Sequence, residues 1–127
     1  MTVYLDTHVV AWLYAGRQEL IPDAARRRID GDEVAVSPMV ALELEYLFES
    51  GKVLDPAQPV LDALGRELGL RLCDLSFPRV AAAARALSWT RDPFDRLIAA
   101  HAAVAGAVLV TKDRALRAHY PAALWDA

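Results

Sequence analysis

Cysteine is almost missing from this chain: Cys73 is the only one in 127 residues. A lone thiol excludes an internal disulfide and a cysteine-built zinc site, and it reads as a small buried apolar residue. Long apolar runs are missing as well, since no uninterrupted stretch approaches the roughly 20 residues that span a bilayer. The opening Met1-Thr2-Val3-Tyr4-Leu5-Asp6 reaches an acid before any basic group, which does not read as a secretory signal. Histidine is sparse: His8, His101 and His119 are scattered and form no pair at zinc-ligand spacing. Repeats, low-complexity segments and linker-like stretches are also lacking, so one domain over residues 1–127 is expected, in the cytoplasm and with no membrane partner.

What the chain does have is enough apolar material for a core: 55% of its residues are hydrophobic and 24% charged, as in folded globular proteins. The net charge of −3 argues against a nucleic-acid partner until its distribution is considered. Between Arg79 and Arg117, seven basic side chains stand against three acidic ones, a local balance of +4. Local field, not net charge, decides whether a phosphate chain docks.

Short apolar runs alternate with helical periods along the whole chain. Val3-Tyr4-Leu5, Val34-Ala35-Val36, Leu70 to Leu75 and Ala107 to Thr111 read as strands, with Ala123-Leu124-Trp125 a further edge strand. Helices are expected between Thr7 and Gly16, from Leu20 to Asp30, from Pro38 to about Ser50, and from about Val60 to Leu68. Others are expected over Phe77–Leu87, Pro93–Ala105 and Arg114–His119, with Pro or Gly marking most boundaries. This alternation describes an α/β fold with a mostly parallel central sheet flanked by helices. Ligands of such sheets bind beyond the carboxyl ends of the strands, where Asp6 and Asp113 fall.

Arg91-Asp92-Pro93-Phe94-Asp95-Arg96-Leu97-Ile98-Ala99 holds a third acid in a defined place. Asp92 suits the N-cap and Pro93 the first helical position, which puts Asp95 in the first turn. At roughly 100° per residue, Asp95 shares a face with the small apolar Ile98, Ala99 and Ala102, so it points inward. The helix after the second strand adds Glu43, Glu45 and Glu49. Glu43 borders the face formed by Val40, Leu44, Leu47 and Phe48, and periodicity prefers it only slightly to Glu45; Glu45 and Glu49 read as solvated.

Carboxylates brought together raise one another's pKa unless a cation neutralises them. A hard divalent ion, Mg²⁺ or Mn²⁺, takes carboxylate oxygens, keeps several waters and bridges to phosphate oxygens. Thr7 and Thr111 flank the strand-end acids, and their hydroxyls could hold a carboxylate or a metal-bound water, or simply satisfy local backbone. His101 reads as structural and His8 as a local packing residue, while Trp12, Trp89 and Trp125 read as core or interface residues.

In these four places the chain resembles the PIN-domain ribonucleases, and specifically the VapC-type toxins of bacterial toxin–antitoxin pairs. Tyr4-Leu5-Asp6-Thr7-His8 is similar to the family's first motif, and Ser37 to Glu43, continuing through Leu47, to its second, with the acid six residues after the serine. Arg91 to Ala99 resembles the third motif, and Leu109-Val110-Thr111-Lys112-Asp113 the fourth. The resemblance implies a PIN-like three-layer fold and an Mg²⁺- or Mn²⁺-dependent endoribonuclease with Asp6, Glu43, Asp95 and Asp113 as its catalytic acids. Asp6 and Asp95 are expected to hold the metal directly, with Glu43 and Asp113 as further ligands or orienters of metal-bound water. Arg91, Arg96, Lys112 and Arg114 are expected at RNA phosphates. A homodimer and a cognate antitoxin whose C-terminal segment covers the site are implied as well. Two rivals remain from other classes: a phosphoacceptor receiver-like signalling domain, which wants paired acids near the first strand, and a PIN-like module that only binds.

Overall fold

Val3, Tyr4 and Leu5 are all buried, as a strand covered on both faces must be. In the computed structural model, which describes residues 1–126, they belong to β1 (Thr2–Leu5), the centre of a five-stranded sheet. β2 (Glu33–Val36) and β4 (Val108–Val110) flank it, with β3 (Arg71–Leu72) and β5 (Ala123–Leu124) at the edges. Every pairing is parallel, and the order is β3-β2-β1-β4-β5. The helices are α1 (Thr7–Tyr14), α2 (Asp23–Gly31), α3 (Pro38–Glu49), α4 (Ala57–Leu68), α5 (Phe77–Ala84), α6 (Pro93–Ala105) and α7 (Arg114–His119).

The topology places the site before any side chain is considered. From β1 the chain works outward to β2 and β3, and then α5 and α6 carry it back to β4 on the other side of β1. Strand order therefore reverses at β1, and a crevice opens above the carboxyl ends of β1 and β4. Asp6 follows one of those strands, and Thr111, Lys112 and Asp113 follow the other.

The site-bearing helices start where their caps require. Ser37 accepts from Met39 N at 3.0 Å ahead of α3, and Asp92 accepts from Phe94 N at 2.8 Å ahead of α6, each with proline next in sequence. α6 stops at Gly106, whose φ of 65° favours glycine. Ile98, Ala99 and Ala102 are buried, as the helical period predicts. Ala100 is buried too, because Val80 and Ala84 of α5 pack on the opposite side, and small residues let the two helices come close.

Four boundaries differ from the sequence expectation by more than one residue. The helix expected from Leu20 becomes a 3-10 turn over Gln18–Leu20 followed by α2, because Ile21 and Pro22 are extended. α4 starts at Ala57 and takes Pro59 into its first turn, where a missing N–H costs nothing. The strand expected over Leu70 to Leu75 shrinks to Arg71–Leu72, an exposed edge segment paired on one side only. α5 ends at Ala84 rather than Leu87. No helix among the described residues is long and apolar enough to cross a membrane.

Candidate active site

Two buried threonines organise the crevice. Asp6 caps α1 by accepting from Thr7 N at 2.8 Å, and its other oxygen accepts from Thr111 Oγ1 at 2.6 Å. Thr7 Oγ1 in turn donates to Glu43 on α3, while Thr111 Oγ1 accepts from Asp113 N at 3.0 Å. Asp113 caps α7, accepting from Leu116 N at 2.9 Å. Glu43, Thr7, Asp6, Thr111 and Asp113 thus form one connected line across the carboxyl ends of β1 and β4. Both threonine hydroxyls hold a carboxylate in place, and Thr111 also satisfies local backbone, two of the roles open to them from sequence.

Asp95 faces this line from the first turn of α6. Among the described residues no hydrogen-bond donor reaches its carboxylate. Burial, and then the charges of Asp92, Asp113, Asp6 and Glu43, push its pKa up to about 7. Glu43 is also raised, first by burial and then by Asp6, with the Thr7 bond opposing. Burial lifts Asp6 as well, against the hydrogen bonds from Thr111 and Thr7. Ionised carboxylates held this close store repulsion that a cation would relieve.

All four expected acids, with Asp92, line a single cavity of about 730 Å³. Asp92 keeps the capping role expected of it, yet its charge also bears on Asp95 and Glu43. Glu49 is exposed, as expected. Glu45 departs from the solvated role: its Oε1 accepts from Ala57 N at 3.0 Å and so holds the start of α4.

The basic rim differs from the sequence expectation. Lys112 and Arg114 line the cavity, but Arg91 and Arg96 do not. Arg96 Nε is instead spent on Thr90 O, at 2.6 Å, fixing the turn ahead of α6. Arg117, which the sequence reading did not single out, takes a place on the wall. It lies one turn after Arg114 on α7, a spacing that signals a shared face.

His101 is buried and structural as expected: its Nδ1 lies 2.8 Å from Ser37 Oγ and 2.9 Å from Leu97 O, tying α6 to the start of α3. Trp89 packs on His119 and the core, also as expected. His8 does pack locally, against Trp12, but both residues also line the cavity, as does the buried Trp125. Their reading as packing residues alone is therefore too narrow.

A family model, the PIN domain, matches residues 3–120. The chain is a PIN-domain protein. Ribonuclease VapC22 of Mycobacterium tuberculosis (strain ATCC 25618 / H37Rv) is 41% identical to this PIN domain over 98% of each chain. Among solved structures, VapBC2 from Rickettsia felis bound to a DNA fragment from its promoter aligns with a TM-score of 0.65 and 22% identity. The alignment covers 99% of this chain and 100% of that one. DNA-bound VapBC from Salmonella typhimurium aligns with a TM-score of 0.65 at 23% identity, over 97% of this chain and 95% of that one. At those identities the two structures speak for the fold alone. Membership of the PIN family sets aside the receiver-like alternative.

The donor set of this PIN domain fits a hard cation and no soft one. It consists of carboxylate oxygens, with no thiol and no imidazole pair. Among the described residues no three such side chains form a ready-made cage. Mg²⁺ needs none, since it binds through one or two carboxylates and keeps its waters. Asp95, unpaired and surrounded by like charge, and Asp6 opposite it are the residues that fit it.

Proposed function

We propose that this PIN domain is an Mg²⁺- or Mn²⁺-dependent endoribonuclease, the cytoplasmic toxin of a toxin–antitoxin pair. The observation that carries the reading is the convergence of Asp6, Glu43, Asp95 and Asp113 on one cavity with cationic side chains on its wall. The likeness to ribonuclease VapC22 over the full length of both chains supports it from outside the site.

Asp6 and Asp95 would hold the divalent ion. When bound, that ion supplies a water of lowered pKa and neutralises charge on the phosphodiester. Glu43, anchored through one oxygen by Thr7, offers the other to a water proton, and burial, which raises its pKa above the ordinary carboxylate value, makes it a better proton acceptor. Asp113, fixed by its cap, orients water from the opposite side. Lys112, Arg114 and Arg117 dock the phosphates that flank the scissile bond and set the register of the strand. An antitoxin segment laid over the cavity would block all of these groups at once, and a second copy of the chain would complete a homodimer.

The test is cleavage of single-stranded RNA by the purified protein. Cleavage is expected with Mg²⁺ or Mn²⁺, and its loss with chelator and in Asp6→Asn and Asp95→Asn, each with an unchanged circular dichroism spectrum. Metal-independent cleavage retained by both variants would sink the assignment.

A further inference from the structure

The cavity carries a second chemistry beside its acids. Trp12, on α1, is partly exposed and stands at the centre of a small aromatic and cationic wall. Trp125 and His8 each lie with ring centroids 6.0 Å from it, tilted by 48° and 53°. Rings tilted at those angles do not seal the indole face with a parallel stack. Lys112 Nζ is 5.7 Å from the Trp12 centroid, and Lys112 is itself exposed.

The two central residues are tied to the acids by the backbone. Trp12 lies on the helix that Asp6 caps, and Lys112 sits between Thr111 and Asp113. An indole face beside a cation is what a single nucleotide unit asks for: a π surface for its base and a charge for its phosphate. Duplex bases are stacked on their neighbours and do not offer that surface, whereas an unpaired base does.

We propose that Trp12 and Lys112 form a subsite for one unpaired base and its phosphate, registering single-stranded RNA against the carboxylates. The subsite rests on the ribonuclease reading above. In the free protein Lys112 covers the indole; as the base stacks, the ammonium moves to the adjoining phosphate. Trp125, buried and also on the cavity wall, packs against Trp12 with ring centroids 6.0 Å apart and helps hold the indole in place. Stacking tolerates any base, so the subsite selects single strands without by itself selecting sequence.

The experiment measures binding of a short fluorescein-labelled oligoadenylate RNA and of an abasic backbone of the same length. Both are titrated into Asp95→Asn protein, which is expected not to cleave. In that background Trp12→Leu, which keeps apolar bulk but has no π face, is expected to weaken oligoadenylate binding at least about fivefold and to leave abasic binding unchanged. Trp12→Phe is expected to recover most of the loss. Independently of the Leu variant's stability, oligoadenylate should quench indole fluorescence in the parent but not in Trp12→Phe, and the abasic strand should quench neither. Equal weakening of both probes, or undiminished oligoadenylate binding by a folded Trp12→Leu protein, would overturn the subsite while leaving the ribonuclease reading intact. So would a Trp12→Leu effect confined to a protein partner. Failure of the parent to bind either probe would overturn both.

Discussion

Thr111 Oγ1 donates to Asp6 Oδ2 at 2.6 Å, a buried hydrogen bond between residues 105 positions apart in the chain. It closes the crevice at the point where strand order reverses, alongside the backbone bond from Asp6 N to Val110 O at 3.0 Å. Thr111→Val should keep the shape and remove both polar contacts, leaving a buried carboxylate oxygen and the Asp113 N–H without their partner. The expected cost is about 1–3 kcal/mol of unfolding free energy, with cleavage falling further than in Thr111→Ser. Urea unfolding and single-turnover cleavage of the two variants would check this; a Val variant as active as the Ser variant would contradict it.

Asp95 makes metal-free stability depend on pH. Its folded-state pKa of about 7 lies above the ordinary 3.8, so the folded protein keeps this proton after the unfolded chain has lost it. The contribution is fully present below about pH 4 and is lost as pH rises through 7. In chelator, Asp95→Asn should therefore gain in melting temperature over the parent as pH goes from acid to mildly alkaline. Added Mg²⁺ or Mn²⁺ should raise the melting temperature of the parent above pH 7 but not that of the variant. Parallel melting curves for the two proteins at every pH would refute the assignment.

Glu43 and Glu45 are neighbours on α3 with opposite tasks. Glu43 is held by Thr7 at the cavity, and Glu45 accepts from Ala57 N at the head of α4. Glu43→Gln is expected to cut cleavage by at least about a hundredfold with little change in stability, the low end of what a positioned proton-transfer group contributes. Glu45→Ala is expected to cost about 0.5–2 kcal/mol, as for loss of a helix cap, with near-normal cleavage. Cleavage rates and denaturant midpoints measured side by side separate the two.

The rim cations should differ in how they respond to salt. Lys112, Arg114 and Arg117 line the cavity, whereas the Arg96 guanidinium is bonded to Thr90 O. Replacing any one of the first three with Ala should weaken RNA binding and lower the slope of log affinity against log salt by about 0.7, the single-strand value per phosphate contact. Arg96→Ala should leave the slope alone and lower stability. An unchanged slope in all three cavity variants would remove them from the phosphate path.

Much of this could be read from the chain because the signals are local. Caps and prolines mark the starts of α3 and α6, and apolar runs mark β1, β2 and β4. A strand that ends in an acid puts that acid on the ligand edge of a parallel sheet, so Asp6 and Asp113 could be placed from sequence alone. Asp95 was legible for a similar reason, since its depth follows from the small apolar face of its own helix.

Other features depended on what lies beside each element, and periodicity holds no record of that. The helical period gives a side chain's direction about its own axis, but Glu45 finds Ala57 N only because α4 begins against α3. Arg96 had the composition of a phosphate contact until the turn at Thr90 claimed it. Trp12 packs on the core as its composition suggests, and only folding brings Trp125, from the far end of the chain, against it on the cavity wall. The sequence by itself determined the alternation, the caps and the positions of Asp6, Asp95 and Asp113, while its periodicity set Glu43 only slightly ahead of Glu45. Only the tertiary structure decided which acids share a hydroxyl, which cations remain open to a ligand and which aromatic face meets solvent, because each depends on residues far apart in sequence and neighbouring only after folding.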